Sequence, residues 1–444
     1  MLRVLPENKG FATEMFTRGE RLKVGIIDAD LLDHGTRHPN LALEKIAGFC
    51  KAQGHDVRLI CSYDELDVDP KFFDVETLDY DVLCLSQVFK FTKRPKKIDF
   101  LIKNHLMFYG GTGFLEEFED DLKQLPNLPP EVEHHKPDFN LYDEYIQIQT
   151  GGDPKKMKRD WDDYISYSIG FTTRGCIRHC AFCVNRELSR VLEWSPVEEF
   201  LDPTRPKIYL WDDNIMAAPA KVFKKVIDQL VATGKAFQFR QGMDIRLMTD
   251  EKAKLFRDVK YYGDYIFAFD HYRKDDPNEW KQVEQTIRGL EIWKKYVTRE
   301  TKLYVLVAFD SIDEKDIEGA FWRIKTLMEY GCLPYIMRFE DYKKSRFKSL
   351  YTQLARWCNQ PSFFKKMSFR QYCVRNEEYR QGIQKKITNG KYPNKLKFPK
   401  GFKPKPTYCA CYRAMIEFEE EFPEIAKKYY DIRFEDINPY KIKK

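Results

Sequence analysis

Cys176, Cys180 and Cys183 form a C-x3-C-x2-C run. Three thiolates at that spacing can hold three corners of a [4Fe–4S] cube and leave one iron open to a substrate or cosubstrate. The alternatives are three packed thiols or a zinc site. Zinc wants a fourth ligand, and His179 is adjacent but poorly spaced to be one. A second group, Cys358, Cys373, Cys409 and Cys411, lies near the C-terminus with gaps of 14, 35 and 1 residues, a spacing that matches no named motif. It reads as a second metal site, an Fe–S cluster or zinc, or as four thiols in apolar packing. Cys332 could join it, whereas Cys50, Cys61 and Cys84 fall in helix and strand patterns and are expected in the core.

Elements must position these thiols, and the chain is long enough to supply them. It has 444 residues, 43% of them hydrophobic, which at about 150 residues per domain suggests two to three cores. Composition excludes a disordered, collagen-like or disulfide-miniprotein chain. No window approaches 18 uninterrupted apolar residues, so no membrane span is expected. The N-terminus lacks an apolar signal core, so a cytoplasmic protein with reduced thiols is expected. The net charge of +6 is uneven: residues 341–405 hold 18 Lys/Arg and 3 acids, a local +15. Aromatics are interleaved there: Tyr351, Trp357, Phe363, Phe364, Phe369, Tyr372, Tyr392, Phe398 and Phe402. This pattern fits either a nucleic-acid or nucleotide partner or a solvated basic face over a packed aromatic core.

The predicted fold class is α/β. Short apolar runs at Leu22–Asp28, Asp56–Cys61, Tyr80–Ser86 and His105–Tyr109 predict a small open parallel sheet over residues 1–114, with a helix over Asn40–Gln53. Its ligand position would be the strand ends near Asp28, Ser86 and Gly110–Gly113, unless those glycines form an ordinary turn. Residues 115–164, acidic and rich in proline, read as a linker. Six strands then alternate with helices over 165–340: Tyr167–Thr172, Lys207–Trp211, Phe237–Gln241, Tyr265–Asp270, Lys302–Ala308 and Pro334–Arg338. That alternation predicts a parallel barrel or part of one, with the cysteine run just after its first strand, at the face where such barrels carry active sites. Residues 341–444 read as a basic, cysteine-containing helical and irregular C-terminal extension.

The stretch Gly170-Phe-Thr-Thr-Arg-Gly-Cys176-Ile-Arg-His-Cys180-Ala-Phe-Cys183 resembles the signature of the radical SAM superfamily, including the aromatic Phe182 before the last cysteine. The segments Leu210–Asn214, Arg240–Arg246 and Gly331–Arg338 resemble its second-, third- and sixth-strand regions. The N-terminal unit resembles the cobalamin-binding domain of one subgroup. That subgroup's Asp-x-His-x-x-Gly motif is missing, because Asp33-His34-Gly35 has the wrong spacing.

The resemblance implies a partial (β/α)6 barrel, a [4Fe–4S] cluster on Cys176, Cys180 and Cys183, and S-adenosylmethionine on its open iron. An electron from a one-electron reductant would cleave the S–C5′ bond to give a 5′-deoxyadenosyl radical that modifies an unknown substrate. Asp212, Asp213 and Asn214 could then accept from the methionine amino group, Asp270 or Asp310 could hold the ribose, and Arg338 or Arg246 could pair with the carboxylate. Phe182 could pack on the adenine or hold the loop. The alternative is a methyl or methylthio transferase using cobalamin or an auxiliary cluster. A third reading is a nucleic-acid-binding protein with a structural metal.

Overall fold

The computed structural model describes residues 11–71, 78–114, 128–183, 188–388 and 408–440. The first sheet is made of β1 (Lys23–Asp28), β2 (Asp56–Leu59), β3 (Val82–Ser86) and β4 (Phe108–Gly110), all parallel, in the order β2-β1-β3-β4. β1 and β3 are buried along almost their whole length, which is why they read as continuous apolar runs rather than alternating ones. The helix Leu41–Ala52 starts where the Asn40 side chain accepts from Leu43 N at 3.3 Å, and it lays Leu43, Ile46, Ala47 and Cys50 on the sheet.

Among the described residues, the segment expected as a linker forms four short helices: Pro130–Glu133, Asp143–Thr150, Pro154–Asp160 and Asp162–Ile165. Val132, Leu141, Tyr142, Tyr145, Ile146 and Tyr164 from this stretch lie in the core of the first sheet. Most of its described acids are exposed or half-buried, and with the prolines they mask that apolar face in the sequence, although Asp163 and Pro137 are buried.

Among the described residues the second unit holds eight strands. β5 (Tyr167–Gly170), β8 (Lys207–Leu210) and β9 (Ala236–Phe239) form one parallel sheet. β10 (Tyr265–Ala268), β11 (Thr301–Val307) and β12 (Leu333–Arg338) form another. Single bridges at Phe237–Tyr261 and Met243–Phe267 join the two along the same strand direction. β6 (Thr173–Arg174) and β7 (Leu192–Glu193) are a two-residue antiparallel pair at the base of the cysteine loop.

Side chains alternate as the pleat requires. Ile208, Leu210, Phe237, Phe239, Phe267, Leu303 and Val305 belong to the large core that also contains the helices. On the opposite face Tyr167, Ile169 and Tyr209 pack against Leu41 and Phe139 of the first unit.

The C-terminal helices have no separate core. Leu350, Tyr351, Leu354, Trp357, Phe369, Met415, Phe418 and Tyr430 join the same cluster as β10–β12 and their helices. Phe321 of the helix Glu314–Glu329 contacts Phe369, Tyr429 and Tyr430. Of the aromatics interleaved with basic residues, Tyr351, Trp357, Phe364, Phe369 and Tyr372 are buried and Phe363 is half-buried against Tyr372. The buried rings offer no face for a base to stack on. Tyr392, Phe398 and Phe402 lie outside the described residues. Among the described residues no helix is long and apolar enough to cross a membrane.

Candidate active site

The cysteine loop leaves β5 and is shaped by backbone requirements before any metal is considered. Gly175 has φ +98°, and a Cβ there would stand 2.2 Å from the Arg190 carbonyl oxygen. Its N–H donates to Asp213 Oδ2 at 2.7 Å, and the next residue, Cys176, donates its N–H to the Leu188 carbonyl at 3.1 Å. His179 sits in the left-handed region at φ 45°, which bends the chain between the first two cysteines. Cys183 N–H closes a turn onto the Cys180 carbonyl at 2.9 Å. Gly175→Ala is expected to displace Cys176 and destabilise the fold by at least about 2 kcal/mol, because left-handed strain and a backbone clash add. Thermal unfolding with and without bound iron would check it.

Asp212 and Asp213 hold this loop to the end of β8. Asp212 is buried and accepts four hydrogen bonds: from Thr172 N at 3.2 Å, Thr172 Oγ1 at 2.6 Å, Thr173 N at 2.6 Å and Thr173 Oγ1 at 2.7 Å. Burial raises its carboxyl above the ordinary range despite those bonds. Asp212 is thus committed to the chain itself.

Asn214 is the residue of this trio that reaches a cysteine. Its Nδ2 donates to Cys176 Sγ at 3.3 Å, while its buried Oδ1 has no hydrogen-bond partner. That acceptor, beside a candidate cluster ligand, is left unpaired by the chain itself. All three thiols are half-buried, and burial raises the Cys180 thiol, with Asp270 adding to it and Arg246 opposing it. Cys176 and Cys183 are both close enough to Cys180 to add to that shift. Among the described residues no three His, Cys, Asp or Glu side chains are gathered about one point as the ligands of a single ion would be. A cube offers its irons at separate corners, so its thiolates stand further apart than those of one zinc ion.

A cavity of about 410 Å³ opens beside the loop. Its lining includes Cys180, Phe182, Arg246, Asp270, Phe309 and Asp310. Phe182 meets Phe309 edge-on at 5.3 Å across the cavity. Asp270 accepts from Leu306 N at 3.2 Å, and burial raises its carboxyl. Arg338 is elsewhere: it donates to Thr352 Oγ1 at 3.0 Å, lies over Tyr342 and takes no part in the lining.

Arg246 belongs to a ladder that was not recognised in the sequence. Asp244 accepts from Arg178 Nε at 2.6 Å and from Arg246 Nε at 2.7 Å. Arg246 Nη1 also reaches His271 Nε2 at 3.1 Å and Gln282 Oε1 at 2.9 Å. Burial opposes the charge of Asp244, but Arg246 and Arg178 outweigh it and hold the carboxyl below its ordinary value. His271 is pushed down, by burial first and Arg246 second. Arg178 lies between Cys176 and Cys180, so this ladder pins the loop to the segment after β9. Behind the cavity, Arg323 is fully buried and donates to the carbonyls of Asp270 at 2.8 Å and Leu306 at 2.9 Å, clamping the ends of β10 and β11 together.

The strand ends of the first sheet are occupied by the chain's own groups. Asp28 accepts from Leu31 N at 3.1 Å and from Tyr142 OH at 2.9 Å, and burial lifts its carboxyl to about 6. Ser86 Oγ accepts from Asn40 at 2.8 Å. Gly111 is at φ 105°, and a Cβ there would meet the Gln87 carbonyl at 2.2 Å, so the glycine cluster makes a tight turn. His34 lies 3.1 Å from Thr92 Oγ1 and against Phe89 and Phe91. No ligand to cobalamin is assigned among these residues.

The second cysteine group does not gather as four. Cys373 and Cys411 bring their sulfurs to 3.1 Å, and Cys409 is near enough to affect Cys373. Cys358 lies in the core, where burial alone raises its thiol. Cys332 is buried beside Lys294, with its thiol pushed up to about 11 by burial.

By sequence the chain matches no protein family and no curated protein. Solved structures that match the chain include two of the radical S-adenosylmethionine methyltransferase TsrM from Kitasatospora setae. One, with cobalamin and a [4Fe–4S] cluster bound, has TM-score 0.43 at 11% identity over 72% of this chain and 75% of that one. The other, with tryptophan substrate and a SAM analog bound, has TM-score 0.44 at 12% identity over 71% of this chain and 72% of that one.

Proposed function

We propose that the protein is a radical SAM enzyme with a [4Fe–4S] cluster held by Cys176, Cys180 and Cys183, and that its two three-stranded parallel sheets act as one partial (β/α)6 barrel around the site. The observation that carries this reading is the gathering of Cys176, Cys180 and Cys183 on one loop, with Cys180 in the cavity lining and Asn214 Nδ2 on Cys176 Sγ. When bound, such a cluster supplies the electron that cleaves S-adenosylmethionine to methionine and a 5′-deoxyadenosyl radical, the electron coming from a one-electron reductant.

The chain's own residues do the rest. Asp212 and Asp213 fix the loop, and Asp244 fixes it from the other side through Arg178. Asn214 Oδ1 accepts from the methionine amino group. Asp270 and Asp310 face the same cavity as Cys180 and are placed to take ribose hydroxyls, while Phe182 and Phe309 supply an apolar wall for the adenine. That wall also keeps water from a reactive centre. Methyl or methylthio transfer would need cobalamin or an auxiliary cluster, and no contact described above favours either.

Oxygen-free reconstitution with iron and sulfide is expected to give about four irons per chain at this loop. Reduction in the presence of S-adenosylmethionine is then expected to yield 5′-deoxyadenosine. Zinc without iron in protein purified under nitrogen would sink the reading. Asn214→Ala is expected to raise the KM for S-adenosylmethionine about tenfold, the loss of one charge-assisted hydrogen bond, with iron content retained.

A further inference from the structure

The thiols of the C-terminal helices carry an inference independent of the cluster reading. Cys373 lies on the helix Phe369–Thr388 and Cys411 on the helix Ala410–Glu421, and their Sγ atoms are 3.1 Å apart. Both residues are buried. Cys409 caps the second helix and is half-buried: its Sγ accepts from Tyr412 N at 3.5 Å, and its own N–H donates to Glu377 Oε2 at 2.7 Å. Glu377 is held ionised by Arg380, its carboxyl down at about 2. Two sulfurs at 3.1 Å are closer than packed thiols stand, and a covalent bond needs them to move together by only about 1 Å.

We propose that Cys373 and Cys411 are a redox modification site, closing to a reversible disulfide by exchange with a low-molecular-weight disulfide through Cys409. Cys409 loses its proton and attacks one sulfur of the incoming disulfide, breaking the S–S bond and releasing one small thiol. Cys373, deprotonated in turn, attacks the Cys409 sulfur and releases the second small thiol. Cys411 then attacks the Cys373 sulfur and returns Cys409 as a thiol. Two protein thiols are oxidised, one small disulfide is reduced, and the two protons end on the two thiols released.

Cys409 is the half-buried member of the trio, so it meets the oxidant first. Burial raises both Cys409 and Cys373 above the ordinary thiol range, so exchange is slow at neutral pH and quickens as the thiolate fraction grows. Once formed, the bond staples two helices that pack in the same core as β12.

The test uses full-length protein, kept under nitrogen, incubated with glutathione disulfide and mapped by peptide mass spectrometry. A Cys373–Cys411 cross-link with loss of two hydrogens is expected, forming faster at higher pH and reversed by dithiothreitol. Cys373→Ser and Cys411→Ser are expected to abolish it. Cys409→Ser is expected to keep the final cross-link but slow its formation at least about tenfold. Absence of the cross-link at every pH would overturn the proposal, as would an unchanged rate in Cys409→Ser. So would a bound metal that leaves with Cys373→Ser while the iron at Cys176–Cys183 stays; because the cross-link is read without turnover, it can fail while the cluster stands.

Discussion

Cys180→Ala is expected to reduce 5′-deoxyadenosine formation more than about 100-fold, since losing a direct ligand exceeds the 10- to 100-fold cost of disturbing a ligand's support. Cys180 lines the cavity and is neighboured by both other thiols, so its removal leaves two anchors for a cube that needs three. Cys176→Ala and Cys183→Ala are expected to do the same. Cys358→Ala serves as the control, because Cys358 is buried in the core away from the loop. It is expected to cost some stability through its cavity while leaving iron content and product intact. Iron and 5′-deoxyadenosine measured on the same oxygen-free samples separate the two outcomes; equal turnover by Cys180→Ala and the parent would refute the site.

The second large effect is expected at a residue that touches no thiol. Asp212→Ala leaves two backbone N–H groups and two threonine hydroxyls at the end of β5 without their acceptor. At about 1–3 kcal/mol for each buried group left unpaired, partly offset by relaxation, a loss of about 3–5 kcal/mol is expected. Thr172 and Thr173 begin the cysteine loop, so iron uptake should fall together with the unfolding temperature. Asp212→Asn keeps one acceptor oxygen and is expected to lie between the two. Unaltered unfolding in Asp212→Ala would show that the four contacts are not energetically coupled to the fold.

The strands of both units were legible because parallel strands buried on both faces read as short unbroken apolar runs, as in KVGIID and VLCLS. The cysteine loop was legible because its candidate ligands are local in sequence. The Asp244 ladder was not: Arg178 and Asp244 are 66 residues apart, and only the fold brings them together. For the same reason Asp212 read as a cosubstrate ligand, although its carboxylate is spent on Thr172 and Thr173. Arg338 ends β12 and Arg246 comes after β9, yet one turns toward Thr352 and the other lines the cavity. The helices of residues 130–165 were hidden because Tyr142 and Tyr164 are spaced among acids and prolines, and the core they enter lies far away in sequence. In the C-terminal part, charge drew attention to the aromatics, but Tyr351, Leu354, Trp357 and Cys358 recur at helical spacing, which is the signature of packing.

The shared interior of β10–β12 and the described C-terminal helices has a consequence for how this chain can be shortened. Phe321 is contacted by Phe369, Tyr429 and Tyr430, so its cover is synthesised well after it. Until Tyr430 has been synthesised, the outer helices of the second unit stay wet on their oily side, and a truncation near residue 340 would make that exposure permanent.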